Sequence, residues 1–239
     1  MLGVKNLRDI NLRKHYIPFD INKNSRLYYD DNVIYKLPFS IKDDFKDVLQ
    51  YIEKCNLNEL IELKGLIMAD NQLKGYYFIN YRNYKSLRKH GKDNLILKRE
   101  NAKKVIAAFN KLNDYNICYK DFHLGNILYG NDEIKICDLD SICIKDDIKV
   151  KLNNLKQSLI VALAYMHNVS YHDISVLLKS NIVINNSELL KRYMELENLT
   201  DAYKIIDDID LSIISAERVK IKKKSKSLSN TGYFDFDYI

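Results

Sequence analysis

Residues 119–141 read YKDFHLGNILYGNDEIKICDLDS, and this stretch decides how the rest of the chain is read. Asn126, Ile127, Leu128 and Tyr129 form one β-prone run, Gly130, Asn131, Asp132 and Glu133 supply turn chemistry, and Ile134, Lys135, Ile136 and Cys137 form a second run. A hairpin is the natural reading. If it closes around Asn131 and Asp132, Asn126 stands opposite Cys137. The Asn126 amide oxygen and the Asp138 carboxylate then lie side by side at its open end, and Asp121 faces the same point from the incoming loop.

Two oxygen ligands converging in this way suit Mg²⁺, which takes one or two protein oxygens and completes its shell with phosphate and water. Asp121 is placed to accept a proton from an attacking hydroxyl. Each residue alone is ordinary turn chemistry. The three polar positions, the strand pattern between them and the apolar helix before them agree jointly.

These residues resemble the catalytic core of the protein-kinase-like superfamily. The catalytic loop of protein kinases reads H-R-D-L-x-x-x-N, followed after a hairpin by D-F-G; here the corresponding residues are Tyr119-Lys120-Asp121-Phe122-His123-Leu124-Gly125-Asn126 and Asp138-Leu139-Asp140. The form D-x-H-x-G-N followed by D-x-D is closest to the aminoglycoside and choline kinase branch. The resemblance implies Asp121 as catalytic base, Asn126 and Asp138 as Mg²⁺ ligands, and His123 where protein kinases often carry a phosphate-contacting Lys. A histidine packed against its own loop is an equally good reading of His123.

Composition fits one enzyme domain. The chain has 239 residues, 46% hydrophobic and 29% charged, enough for a real core. Cys55, Cys118, Cys137 and Cys143 form no C-x-x-C pair and read as thiols in a reducing compartment. The start of the chain carries no export signal and the apolar run from Ser158 to Met166 is far too short to span a bilayer, so a cytoplasmic location is expected. The net charge of +6 permits weak attraction to acidic partners, without a recognisable nucleic-acid-binding fold.

Upstream of the motif, Ser25 to Tyr29 and Val33 to Leu37 make a hairpin around Asp30, Asp31 and Asn32. Its second strand, V-I-Y-K, is similar to the V-A-I-K strand of kinases, which would give Lys36 the α- and β-phosphates of ATP. Phe45, Val48, Leu49 and Ile52 recur at helical spacing with Ser40 or Asp43 available as cap. Glu53 lies beside that stripe and is the first candidate to pair with Lys36, with Glu59 and Glu62 as competitors. The segment from Asp20 to Arg26 contains no glycine, unlike the phosphate-covering loop of protein kinases; Lys23, Ser25 and Arg26 can cover phosphates by side chain instead. Strands from Glu62 to Asp70 and Gly75 to Tyr81, joined by Asn71 to Lys74, lead to a hinge. The resemblance implies that Asn80, Tyr81 and Arg82 hold adenine there by backbone groups, while the aromatic residues of GYYFINY read as core.

Val105, Ile106, Phe109 and Leu112 mark an amphipathic helix that delivers the chain to Tyr119. Leu152, Leu155, Leu159, Val161, Ala162 and Tyr165 mark a buried helix beginning near Lys151. Only Leu139 to Val150 separates it from Asp138, and no A-P-E occurs, which leaves little room for a peptide platform and favours a small acceptor. Lys120 stands where regulated protein kinases carry an Arg that receives a phosphate. Helical segments are expected around Ile174 to Leu178, Ser187 to Leu196, Ala202 to Ile206 and Leu211 to Val219, then a basic and aromatic tail.

The expected fold is α+β: a bilobal, protein-kinase-like domain with a β-rich N-lobe (1–79), a hinge (80–84), a mainly helical C-lobe (85–219) and a tail (220–239). The expected activity is ATP- and Mg²⁺-dependent phosphoryl transfer to an unidentified hydroxyl-bearing acceptor. A protein Ser/Thr kinase, and a pseudokinase acting as a binding module, are the alternatives.

Overall fold

Two antiparallel hairpins generate the first sheet. Strands β2 (Ser25–Asp30) and β3 (Val33–Pro38) pair so that Lys36 lies opposite Leu27. Strands β4 (Leu63–Ala69) and β5 (Gln72–Ile79) close on Asp70 and Asn71, both at positive φ (49° and 62°). Two left-handed central residues give the turn whose twist matches the flanking strands, and Asp and Asn tolerate that region better than other side chains. The turn is therefore tighter than the Asn71–Lys74 connection expected from sequence, and β5 starts three residues before Gly75.

The computed structural model describes residues 2–11, 25–30, 32–89, 95–172, 174–175 and 188–208. The architecture is mixed α+β, with a five-stranded sheet early in the chain and helices later. The sheet order is β1-β4-β5-β3-β2, where β1 (Gly3–Asn6) runs parallel to β4. This short edge strand has no sequence signal beyond four residues and was not expected. Lys23 and most of the glycine-free segment, the expected helix Leu211–Val219 and the tail 220–239 lie outside the described residues.

Helix α1 (Phe45–Cys55) buries the expected stripe of Phe45, Val48, Leu49 and Ile52. Its cap position is Asp44, with no side-chain capping bond, rather than Ser40 or Asp43. Asn56 ends the helix in a left-handed conformation, its N–H reaching back to Ile52 and Glu53 carbonyls. The same apolar cluster continues through Tyr76 and Phe78 of β5, Val105, Phe109 and Leu112 of helix α2 (Leu95–Asp114), and Ile127 and Ile136 of the later hairpin. One core thus joins the sheet to the segments that follow it.

Beyond a two-residue strand β6 (Lys85–Ser86), the chain forms β7 (Ile117–Tyr119), the hairpin β8 (Ile127–Gly130) and β9 (Glu133–Ile136), and β10 (Ile142–Ile144). β10 pairs antiparallel with β7, so the stretch after Asp138 is an ordered turn and strand rather than a bare connection. Helix α3 (Ile148–His167) begins three residues before Lys151 because the Asp147 carboxylate caps it, accepting from Lys149 N at 2.7 Å. Helices α4 (Glu188–Met194) and α5 (Leu199–Asp208) follow, and a second apolar cluster packs α5 against α2 and α3. Among the described residues no helix is long and apolar enough to cross a membrane. All four cysteines are free thiols, and burial pushes that of Cys118 up to about 11.

Gly75 is required by close approach. A Cβ built there would stand 2.1 Å from the Lys36 carbonyl oxygen and 2.9 Å from a Leu37 methyl, so β3 and β5 would have to part beside Lys36. Overpacking of this kind costs about 1–3 kcal/mol. Gly75→Ala is expected to lower the thermal midpoint by roughly 3–10 °C, measured by circular dichroism; an unchanged midpoint would show that the two strands separate freely at this point.

Candidate functional site

The β8–β9 hairpin forms in the register expected from its sequence. Ile127 pairs with Ile136, Asn131 and Asp132 occupy the turn at φ 50° and 63°, and Cys137 N donates to the Asn126 carbonyl at 2.9 Å. Asn126 and Asp138 therefore flank the same open end. The hairpin is tied to the first part of the chain through Ile136, whose N–H donates to Glu59 O at 2.7 Å and whose carbonyl accepts from Ile61 N at 3.1 Å.

The loop carrying Asp121 is fixed from beneath by aromatic packing. Phe122 is buried with its ring 4.7 Å from Phe109 and 5.4 Å from Tyr119, and the Tyr119 hydroxyl donates to Cys137 O at 2.8 Å. Lys120 N donates to Ser141 O at 3.0 Å. With Phe122 anchored, its neighbour Asp121 turns outward. The Asp121 carboxylate accepts from Asn126 Nδ2 at 3.0 Å and lies 3.3 Å from His123 Nε2. His123 Nδ1 accepts from Gly125 N at 3.0 Å, which leaves Nε2 as the ring donor toward Asp121. Gly125 leaves space for that ring, since a Cβ there would stand 2.8 Å from His123 Cε1. His123 thus has a specific local role: it orients Asp121 and braces its own loop.

Asn126 uses its amide nitrogen twice on Asp121, on the carboxylate and on the backbone carbonyl at 3.1 Å. Its Oδ1 takes no part in those bonds. Among the described residues, no three His, Cys, Asp or Glu side chains gather into a metal cage. The oxygen donors at this point are the Asn126 amide and the Asp138 carboxylate, a set matched to a hard cation that keeps ligands of its own.

Lys36 reaches this point from β3. Its Nζ is ion-paired with Asp138 Oδ1 and with Asp140 Oδ1, the latter at 2.5 Å. Only 4% of the Lys36 side chain is exposed, against 16% for Asp138 and 23% for Asp140, so solvent screens these pairs weakly. Burial alone pushes the ammonium pKa down, but the charges of Asp140 and Asp138 more than offset it, and the net shift is upward. Asp138 sits in the left-handed region (φ 66°, ψ 59°), and its other oxygen accepts from Ser141 Oγ at 2.7 Å. Asp140 accepts a further bond from the fully buried Tyr76 hydroxyl at 2.8 Å.

The carboxylates on Lys36 correct one expectation. Glu53, expected to pair with Lys36, instead lines a groove of about 800 Å³ between α1 and strands β1 and β4, with Lys46, Gln50 and Lys54. Glu62 pairs with Lys64. The carboxylates on Lys36 come from the segment after the hairpin. Asp140 stood in the D-x-D motif without a role, and Tyr76 read as core; their juxtaposition depends on the β5 register, which no local pattern reveals.

The connector at Asn80, Tyr81 and Arg82 is a compact turn. Asn80 N donates to Asn32 O, Arg82 N to Asn80 O and Tyr84 N to Tyr81 O, each at 3.0 Å. The Tyr81 hydroxyl accepts from Glu62 N at 2.9 Å, and the Arg82 guanidinium lies 5.4 Å from the centre of the Tyr29 ring. These residues line a groove of about 870 Å³ with Val33, Tyr77 and Asn83.

No protein-family model matches this chain, and comparison with curated proteins gives no match.

The His123 hydrogen bond is the main cause that holds Asp121 below the usual aspartate range, with the His123, Asn126 and Lys36 contributions adding to it against partial burial. A carboxylate depressed in the folded state stabilises the fold above its unfolded pKa, and that contribution is lost as pH falls through the folded value. His123→Ala is expected to move the Asp121 titration upward toward an ordinary aspartate, followed by carboxyl-carbon NMR. An unmoved titration would assign the depression to Asn126 and Lys36.

Proposed function

We propose that the chain is an ATP- and Mg²⁺-dependent phosphotransferase that moves the γ-phosphoryl group to an alcohol acceptor. In this reading the sheet and α1 form a small nucleotide-covering lobe, the later segments form a helical lobe, and the frame is kinase-like. The observation that carries it is the meeting of Lys36 with Asp138 beside the Asp121–Asn126 pair, four side chains drawn from three separate stretches of chain. Free thiols throughout suit a reducing, cytoplasmic compartment.

The chemistry asked of these residues is positioning and charge. Lys36 supplies a buried ammonium for the phosphates. Asn126 and Asp138 supply the oxygens for Mg²⁺, which when bound offsets the charge on the transferred group. Asp121 aligns the acceptor hydroxyl and takes its proton. A carboxylate held below the usual range is a weak base, so its contribution is orientation first and proton acceptance late, as suits a loose phosphoryl-transfer transition state.

A small acceptor is favoured over a peptide. The stretch from Leu139 to Asp147 is consumed by a 3-10 turn, by β10 on β7 and by the α3 cap, with no length left for a peptide-binding platform.

Thermal unfolding with and without Mg²⁺ and ATP tests the nucleotide site. At about 100 times the dissociation constant the midpoint should rise by roughly 5–10 °C. The rise should be lost in Asp138→Ala and in Asn126→Ala, which leaves the Lys36 ion pairs in place. Asp121→Asn should retain the rise yet lower turnover by about 10²-fold or more. A wild-type chain with no metal-dependent rise would falsify the proposal.

A further inference from the structure

We propose that Asp140 is the positioning residue for Lys36, filling the role expected of Glu53, and that its presence leaves Asp138 available to a metal. The inference rests on the phosphotransferase reading above.

Three observations carry it. First, one buried ammonium meets two carboxylates, and the two differ in what else holds them. Asp140 Oδ1 takes both the Lys36 ammonium, at 2.5 Å, and the hydroxyl of Tyr76, at 2.8 Å. Tyr76 is fully buried on β5, where it pairs directly opposite Lys36 of β3. Its ring packs 5.8 Å from Phe45 of α1 and 5.9 Å from Phe78. Asp140 is thus held from the sheet side by a donor that burial, first, and the nearby carboxylates keep protonated far above neutral pH.

Second, Asp138 is the carboxylate beside Asn126, at the open end of the hairpin, and its second oxygen is oriented by Ser141. It is the member of the pair suited to an added cation. Third, the ion partners of Lys36 are Asp138 and Asp140, while Glu53 of α1 lines grooves with Lys46 and Lys54 and with Asn56 and Leu60.

The charge balance gives the pair its purpose. One ammonium with two carboxylates leaves one unit of negative charge in a poorly screened place, which attracts a divalent cation. Were Asp138 the sole partner of Lys36, a metal would have to compete with a buried ammonium for it, at the cost of breaking a buried ion pair. With Asp140 holding Lys36, the ammonium keeps a partner and a fixed position when Asp138 turns to a metal.

The test measures Mg²⁺ dependence of ATP binding to the full chain by calorimetry, a readout that a merely structural residue would not shift. In Asp140→Asn, which keeps the side-chain shape, the Mg²⁺ concentration giving half-maximal ATP binding should rise about tenfold. Tyr76→Phe, which removes only the hydroxyl, should shift it about threefold in the same direction and carries the test if Asp140→Asn does not fold. In a Lys36→Met background Asp140→Asn should add a smaller shift, that of the lost negative charge alone, because no ammonium then competes for Asp138. Glu53→Gln should lie within twofold of wild type. Wild-type binding with an unshifted Asp140→Asn and Tyr76→Phe, or a Glu53→Gln shift equal to that of Asp140→Asn, overturns this assignment alone. A wild-type chain that binds no ATP with Mg²⁺ overturns the phosphotransferase reading, and this assignment with it.

Discussion

A lysine ammonium with 4% of its side chain exposed is the constraint around which this structure is arranged. An isolated buried charge of that kind is prohibitively costly, and removing one partner of such a pair typically costs about 3–5 kcal/mol. Lys36 is made tolerable by residues more than 100 positions later in the chain, at sequence separations of 102 and 104. The ion pairs can form only when the β3–β5 register, the turn after β9 and the core between them are all correct. Errors in any of these strand a charge.

The same logic explains why the loop beside the pair is so firmly seated. Asp121 is more than half exposed, and nothing in its own side chain would define a direction. Direction comes from its neighbours: Phe122 is locked among Phe109 and Tyr119, His123 is pinned by Gly125, and Asn126 donates back to Asp121 twice. An exposed carboxylate is thereby held in one orientation by apolar burial on one side and, on the other, by two donor contacts to its oxygen and one to its backbone carbonyl. Such pre-organisation is the main source of rate in reactions where the protein contributes geometry rather than covalent chemistry.

Much of this was legible in the sequence where the signal is local. The β8–β9 hairpin was readable because Asn131 and Asp132 are turn residues flanked by apolar runs, and the α1 stripe because Phe45, Val48, Leu49 and Ile52 share a helical face. The partner of Lys36 was not readable. Choosing among Glu53, Asp138 and Asp140 requires knowing which way α1 is rotated and where Tyr76 lies relative to Lys36, both of which follow from long-range packing. β1 and β10 escaped for a related reason: at four and three residues they carry no period of their own and exist only because β4 and β7 offer an edge. The α3 start was misjudged by three residues because apolar spacing locates a buried face, while the boundary is set by the Asp147 cap.

Among the described residues, the eight non-glycine residues at positive φ are all Asn or Asp. The whole chain has only 7 glycines in 239 residues, so it makes its reversals with side chains that accept the left-handed region at some steric cost. Glycine at most of these places would relieve that cost but widen the conformational freedom of the unfolded chain, two opposing effects each of about 1 kcal/mol or less. Asp138 departs from this near-neutral exchange. There, unlike at Asp70 and Asp132, whose ion-paired carboxylates are largely exposed, the unusual dihedral and a buried ion pair belong to one residue, so glycine, the substitution that relaxes the backbone, also deletes a buried charge. At Asp138 conformational strain cannot be relieved by glycine without losing the electrostatic contact, so ease of folding has no route by which to erode the site through the backbone alone.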